Sequence, residues 1–443
     1  MPPLHILIIG AGCAGPALAH NLSRSPHHAH RITIVERSPN LRASGAQIDL
    51  RSQGIEVVKR MGLHDEIRAK VVDEEGVAFV DANGKEVAVV GANKSGQGVQ
   101  SFTTEWEIMR GDFVGVFYEA TTKREGEGGK GKGKVEYIFG KSVEGFEEDG
   151  EGVLVRFDDG SSGRFDMVVG ADGQGSRVRR IILPSSDSGS GSGSGSGELR
   201  RGRGSDHYLH LGFYIAYWFV PRIETDGNLA RMHILPGGRM IMCRNHEGAE
   251  TQVYFMLRDD SEELRDMPWA SVEKQKEFWA LRFRDADWQA DRFIAGMKDT
   301  TNFYCQEVVQ VKVDRWQQGR VVLLGDAASC PSPFSGMGTT GGLVGAYVLA
   351  GEIELNTDDV TRALENYEKI MRPYVDELQD IQPWLLKLAT PKPRWGVAVV
   401  QFVLRVVCFL RIPDLIARFS SEEKGGWKLP DYPELNHSQG AEN

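Results

Sequence analysis

Residues 4–10 read LHILIIG, an apolar run of strand length that ends in glycine. After His5 the side chains from Ile6 to Ile9 are all apolar, which suits a strand covered on both faces, as in a parallel sheet. The next stretch, GAGCAGPALAHNLSR, predicts a tight turn opening into a helix, and RITIVE at 31–36 predicts a second strand. Together they predict a β-α-β unit and an α/β architecture. Over 209–257 the pattern shifts to strand-length runs separated by turn signals such as Pro236-Gly237-Gly238, predicting a mostly antiparallel sheet. In its first run, Phe213, Tyr214, Tyr217 and Trp218 either pack into a core, the favoured reading for each singly, or face a cavity. A charged helical stretch follows at 260–298, then the apolar strand RVVLLGDA at 320–327 and helices over 357–419. Within these, 394–411 is apolar nearly all round, with Gln401 and Arg405 one helical turn apart. It falls short of the roughly 20 apolar residues that a spanning helix needs. Docking across two domains is its favoured reading, and a place in a membrane interface is the second.

Two glycine-rich stretches, 126–134 and 188–197, cannot bury apolar surface and predict surface loops. The second separates differently patterned regions and predicts a domain boundary near Pro184.

Composition narrows the class. The chain has 443 residues, 41% apolar and 26% charged, enough to bury a large core and keep a separate substrate compartment. Its 52 basic and 62 acidic residues give a net charge of −10, which argues against a nucleic-acid binder. Cys13, Cys243, Cys305, Cys330 and Cys408 form no CxxC pair, so neither a metal site nor a disulfide framework is expected. The N-terminus shows no secretory signal pattern, and a reducing, cytoplasmic setting fits. His27, His28 and His30 fall in a loop before a strand and read as solvated.

Three segments carry chemistry. Gly10-x-Gly12-x-x-Gly15 follows a strand and opens a helix, the context a dinucleotide fingerprint requires. Gly10 permits the turn, Gly12 admits a diphosphate to the backbone, and Gly15 allows close helix–strand packing. The diphosphate would sit on the N–H groups at the positive helix end. Glu36 closes the second strand, where a carboxylate can accept from ribose hydroxyls and disfavours the 2′-phosphate of NADP as the occupant. DMVVGADGQGSRVRR at 166–180 and GRVVLLGDAASCPSPFSGMGTTGG at 319–342 each place Gly-Asp chemistry just after an apolar strand. Either alone is an ordinary strand-to-turn junction. All three in this order are specific.

With these segments the chain resembles the FAD-dependent aromatic-hydroxylase class of monooxygenases, the para-hydroxybenzoate hydroxylase fold. The carriers are Gly10 to Gly15 with Ala14, Ala171-Asp172-Gly173 with Ser176, and Gly325-Asp326-Ala327 with Pro333, Gly336 and Gly338. The wording ASGAQIDLRSQG and CPSPFSGMGTTGGLVGAYVLAGE is most similar to tetracycline-inactivating monooxygenases and fungal relatives from secondary metabolism. The resemblance implies that Glu36 and Arg37 bind the adenosine part of FAD. It implies that Asp49 and Arg110 contact the phosphate and ribityl region, with Arg42 a basic residue nearby. Asp326 would hold a ribityl hydroxyl, and Asp172 would lie near the diphosphate and the nicotinamide path. Backbone N–H groups after Gly336-Met337-Gly338 would stabilise charge on the reduced ring.

The resemblance implies a Rossmann-like FAD-binding domain interleaved with a mostly antiparallel substrate domain, plus C-terminal helices. The expected division is 1–184 for the first part of the FAD-binding domain, with a substrate-domain excursion near 75–105. Residues 185–298 form the substrate domain, 299–370 the second FAD-binding part, and 371–443 the C-terminal helices and tail. The expected activity is NAD(P)H- and dioxygen-dependent hydroxylation, or a related oxygenation, of an aromatic or polycyclic small molecule. An FAD oxidase or dehydrogenase, and a flavin-binding protein without a redox role, are the alternatives. Met337, Gly341-Gly342 and Ser329 depart from residues common in the family, and no WxWxIP motif of its halogenating cousins occurs. No catalytic side chain is singled out, because the flavin carries the chemistry. The expected partner is a small molecule, not a nucleic acid, with contact between 394–411 and a membrane surface possible but not favoured.

Overall fold

The computed structural model describes residues 3–42, 45–92, 104–122, 133–184, 207–245, 248–259, 261–410 and 426–437. The 188–197 run and residues 126–132 of the other glycine-rich stretch lie outside these, so the loop reading of both falls outside the described residues.

The strand His5–Ile9 lies inside a six-stranded sheet between parallel neighbours Arg31–Glu36 and Met167–Gly170. Val321–Leu323 and Lys134–Phe139 extend it in parallel, and Gln317–Gln318 adds an antiparallel edge. Ile6, Leu7 and Ile8 have no exposed surface, which explains why their run shows no alternation. The helix Ala14–Ser23 returns along the sheet and packs against the later helix Gly338–Leu355. This is the expected α/β architecture.

The second layer is a seven-stranded sheet in the order Tyr304–Val311, Tyr208–Pro221, Glu250–Arg258, Arg239–Asn245, Ala230–Leu235, Gly76–Val80 and Glu86–Gly91. Its pairs are antiparallel except where 230–232 meets 77–79. The two-residue period of a strand splits the aromatics of its second strand between two faces. Tyr214 and Trp218 pack with Ile241, Val253 and Phe255 on residues of the helices Val272–Phe283 and Ala290–Asp299. Phe213 lies on the opposite face with Met240, Met256 and Val308. Tyr217 donates its hydroxyl hydrogen to the Gly45 carbonyl, 2.9 Å away, across the gap to the first sheet's side.

Helices Val360–Leu378, Pro383–Ala389 and Arg394–Phe409 complete the described chain before its tail. The last of them docks on the second sheet through Val397, Val400, Leu404 and Cys408. Among the described residues no helix is long and apolar enough to cross a membrane.

One histidine departs from the sequence reading. His27 is exposed and His28 half-buried, but His30 is fully buried rather than solvated. Its Nδ1 accepts from the Leu4 N–H at 3.1 Å, and its Nε2 meets Glu354 Oε1 at 3.0 Å. The loop returns beneath the end of the Gly338–Leu355 helix, and Ser25 donates to the same Glu354 at 2.6 Å. Local sequence carried no sign of that distant carboxylate.

Candidate functional site

The three sequence segments converge at the carboxyl ends of three adjacent parallel strands. Gly10 has φ +113°, and a Cβ there would lie 2.4 Å from the Ala171 carbonyl oxygen, so only glycine fits beside the second segment. A Cβ at Gly15 would lie 2.2 Å from the Gly10 carbonyl oxygen. Ala14 Cβ stands where side chains at Gly325 and Gly342 would reach it, at 3.2 and 3.5 Å, which brings the third segment against the first. The buried Arg179 joins the other two by donating to the carbonyls of Gln174 at 2.5 Å and Ala327 at 2.8 Å. A Cβ at Gly342, one of the family departures, would make only ordinary van der Waals contact with Ala14.

Glu36 reaches back from its strand end. Its carboxylate accepts from the N–H groups of Ala11 at 3.0 Å and Ser38 at 2.9 Å, fixing it beside the glycine turn. Arg37 and Arg42 are exposed, and the Arg42 carbonyl accepts from Arg110 at 3.2 Å. Asp172 accepts from the Ser176 hydroxyl at 2.5 Å and from the N–H groups of Arg177 at 2.6 Å and Val178 at 3.2 Å. Those bonds hold the first turn of the helix Arg177–Ile182, whose N-cap is Ser176.

A second cluster surrounds Arg110. A Cβ at Gly12 would meet only Arg110 Nη2, 3.6 Å away, and the guanidinium also lies beside the Cys13 thiol. A Cβ at Gly338 would have Asp326 Oδ1 as its nearest neighbour, at 3.8 Å. Burial raises the Asp326 carboxyl above its ordinary range, while the Cys330 thiol, Arg110 and Arg179 pull it down. Pro333 opens the short turn Pro333–Ser335, which ends at Gly336 in the left-handed region. Arg51 was not singled out from the sequence, yet a Cβ on Gly336 would lie 3.2 Å from its Nη2. Its N–H donates to Thr340 at 3.0 Å, and its side chain pairs with Asp49, which also accepts from Thr104.

Beyond Asp49 lies a buried ion network that sequence reasoning also missed. Arg244 of the second sheet donates to both Glu74 oxygens, at 2.9 and 2.7 Å, and to Glu107. Gln47 donates to Glu107, and Gln252 donates to Gln47 at 3.1 Å. Burial pushes the Glu107 carboxyl up to about 7; Arg244 opposes this, and Glu74 and Asp49 add to it. Residues 74, 107 and 244 meet only through the fold, so no motif could have announced them.

The donor set fits FAD. Neither Cys13 nor Met337 caps its helix with a side chain, as is also true of most of the described helices, so no capping side chain occupies these two helix starts. The first-turn N–H groups of the Ala14–Ser23 and Gly338–Leu355 helices are thus left for a ligand's oxygens. Comparison with known proteins agrees. The chain matches the FAD binding domain family over residues 4–192 and 244–381. It is 38% identical over 435 residues to FAD-dependent monooxygenase asL6 of Sarocladium schorii, covering 97% of this chain and 98% of that one. It is 35% identical over 422 residues to flavin-dependent monooxygenase eupH of a Phoma species, covering 91% of each chain. Among solved structures, tetracycline destructase Tet(55) matches 98% of this chain and 100% of its own, with a TM-score of 0.73 and 25% identity. The glycine turn fits a diphosphate, and the family match over most of the chain makes the assignment: the chain belongs to the FAD binding domain family and is an FAD-dependent monooxygenase.

Proposed function

We propose that this enzyme hydroxylates, or otherwise oxygenates, an aromatic or polycyclic small molecule of secondary metabolism in the cytoplasm. NAD(P)H, dioxygen and a proton enter; NAD(P)+, water and oxygenated product leave. The observation that supports the substrate class is the apolar cluster on the second sheet, a wall beside the proposed flavin site. Phe213, Met240, Met256 and Val308 share it with Phe334, whose ring lies 5.0 Å from that of Phe213. Phe334 follows Pro333 in the turn leading to Gly336, so the wall begins beside the proposed flavin site. The likeness to the tetracycline destructases supports a polycyclic guest.

FAD supplies the redox chemistry and the reaction with dioxygen. In this reading Gly10, Gly12, Ala14 and Gly15 cradle its diphosphate, and Glu36 and Arg37 bind its adenosine end. Arg110, with Arg42 beside it, neutralises phosphate charge. Asp326 holds the ribityl chain, and Pro333, Gly336 and Gly338 shape the backbone under the ring, where helix N–H groups favour a developing anion. Asp49, paired with Arg51, orients the far side. Asp172 holds the loop between the diphosphate and the nicotinamide path. The domain division at 184, 298 and 370 belongs to the same proposal. The apolar wall excludes water while oxygen is transferred.

Titrating the flavin-loaded enzyme with polycyclic phenols tests the substrate class. The expected result is a shift of the flavin spectrum and faster NAD(P)H oxidation, both lost in Phe213→Asp while flavin is retained. Response only to small charged acids would overturn it.

A further inference from the structure

We infer that the outward face of the two C-terminal helices is a contact surface for an anionic lipid bilayer, on which the enzyme sits peripherally. This goes beyond the oxygenase reading and does not depend on it. On the Arg394–Phe409 helix, Val397, Val400, Leu404 and Cys408 face the protein. The opposite side carries Trp395, Val399, Phe402, Val403, Val406 and Phe409, with Trp395 72%, Phe402 65% and Phe409 87% exposed. At 3.6 residues per turn these fall on one continuous stripe. The preceding helix, Pro383–Ala389, adds Trp384, Leu385 and Leu388, each more than half exposed. Single exposed apolar residues are ordinary; two neighbouring helices of them mark an interaction face.

Charge identifies the occupant. Over 381–410 the chain has Lys387, Lys392, Arg394 and Arg405 and no acidic residue, within a protein of net charge −10. All four are exposed, and the helical repeat puts Arg394 and Arg405 together on one margin of the apolar stripe. A basic-flanked apolar face with tryptophans suits an anionic interface, where aliphatic and indole groups sit among acyl chains and cations meet headgroups. A second copy is disfavoured. A two-fold contact would bring these cations toward their own equivalents with no acid on the two helices to pair them, and the nearby Asp259, Asp285 and Asp287 are already engaged by Arg282, Arg239 and His233.

The test is co-sedimentation of the full, flavin-loaded chain with vesicles of phosphatidylcholine alone or mixed with phosphatidylserine. Binding should be at least about tenfold tighter to the mixed vesicles and should fall about fivefold for each of Lys392→Glu and Arg405→Glu. Phe409→Glu and Phe402→Glu should abolish it while melting temperature and flavin content stay at the wild-type values. Absence of vesicle binding, equal binding to both compositions, or unchanged binding by both phenylalanine variants would overturn the inference. So would a dimer in solution that Phe409→Glu dissociates, since a second copy would then cover the face.

Discussion

Glu107 illustrates how a single side chain acquires its chemistry from the fold. Arg51 pairs with Asp49 and Arg244 with both Glu74 and Glu107, so three carboxyls face two guanidinium groups and burial favours the protonated form of Glu107. Glu107 is held up at about 7, above its ordinary 4.5. The folded protein therefore keeps a proton that the unfolded chain releases, and stability falls as pH rises across that window. The penalty reaches about 3 kcal/mol once Glu107 is ionised. Urea unfolding at pH 5 and pH 8 should show this decline, and Glu107→Gln should flatten it. An unchanged slope in the variant would remove Glu107 as its source. Arg244→Met strands two acids and should cost about 3–5 kcal/mol, read from the same curves. None of this was legible in the sequence. Glu74, Glu107 and Arg244 carry no local signature, and their meeting depends on the strand Arg239–Asn245 lying beside a carboxyl from another sheet.

At the scale of elements, the sequence was most informative where function rests on short-range backbone geometry. Gly10 and Gly15 could be read because a turn and a close helix approach act within six residues. Gly12→Val would push a branched side chain toward Arg110 into the diphosphate cradle, and the purified protein should be colourless. Stoichiometric flavin in that variant would contradict the fingerprint assignment. His30 shows the opposite case. Its loop looked solvated because the partner that buries it, Glu354, lies 324 residues away. Removing both of its hydrogen bonds with His30→Leu should lower stability by about 1–3 kcal/mol, measured by thermal unfolding, without loss of FAD. The helix Arg394–Phe409 was ambiguous for a physical reason as well. A sequence apolar all round serves a docked face and an outward face together, and only the fold tells them apart.

For the whole molecule, the proposed cofactor site lies on the parallel sheet and the proposed apolar wall on the second sheet. A small antiparallel pair of strands, Gln47–Asp49 and Glu107–Met109, is tied to the second sheet by the Glu107–Arg244 ion pair, and the hydroxyl of Tyr217 holds the preceding loop at Gly45. The alternation of layers was visible in hydrophobic period alone, whereas the excursion near 75–105 came from the family resemblance, and the strands Gly76–Val80 and Glu86–Gly91 lie at the far edge of the second sheet. Asp326 lies where the third segment meets the first. Asp326→Ala should weaken FAD retention and turnover by at least about tenfold while the melting temperature of the reconstituted protein changes little. Oxygen transfer is the step that requires both layers to close on a dry cavity. The most direct measurement is turnover of an accepted polycyclic substrate under isotope-labelled dioxygen. One labelled oxygen atom should appear in the product and the other in water. Unlabelled product, with hydrogen peroxide formed in amounts equal to the NAD(P)H consumed, would contradict the account and make the enzyme an oxidase.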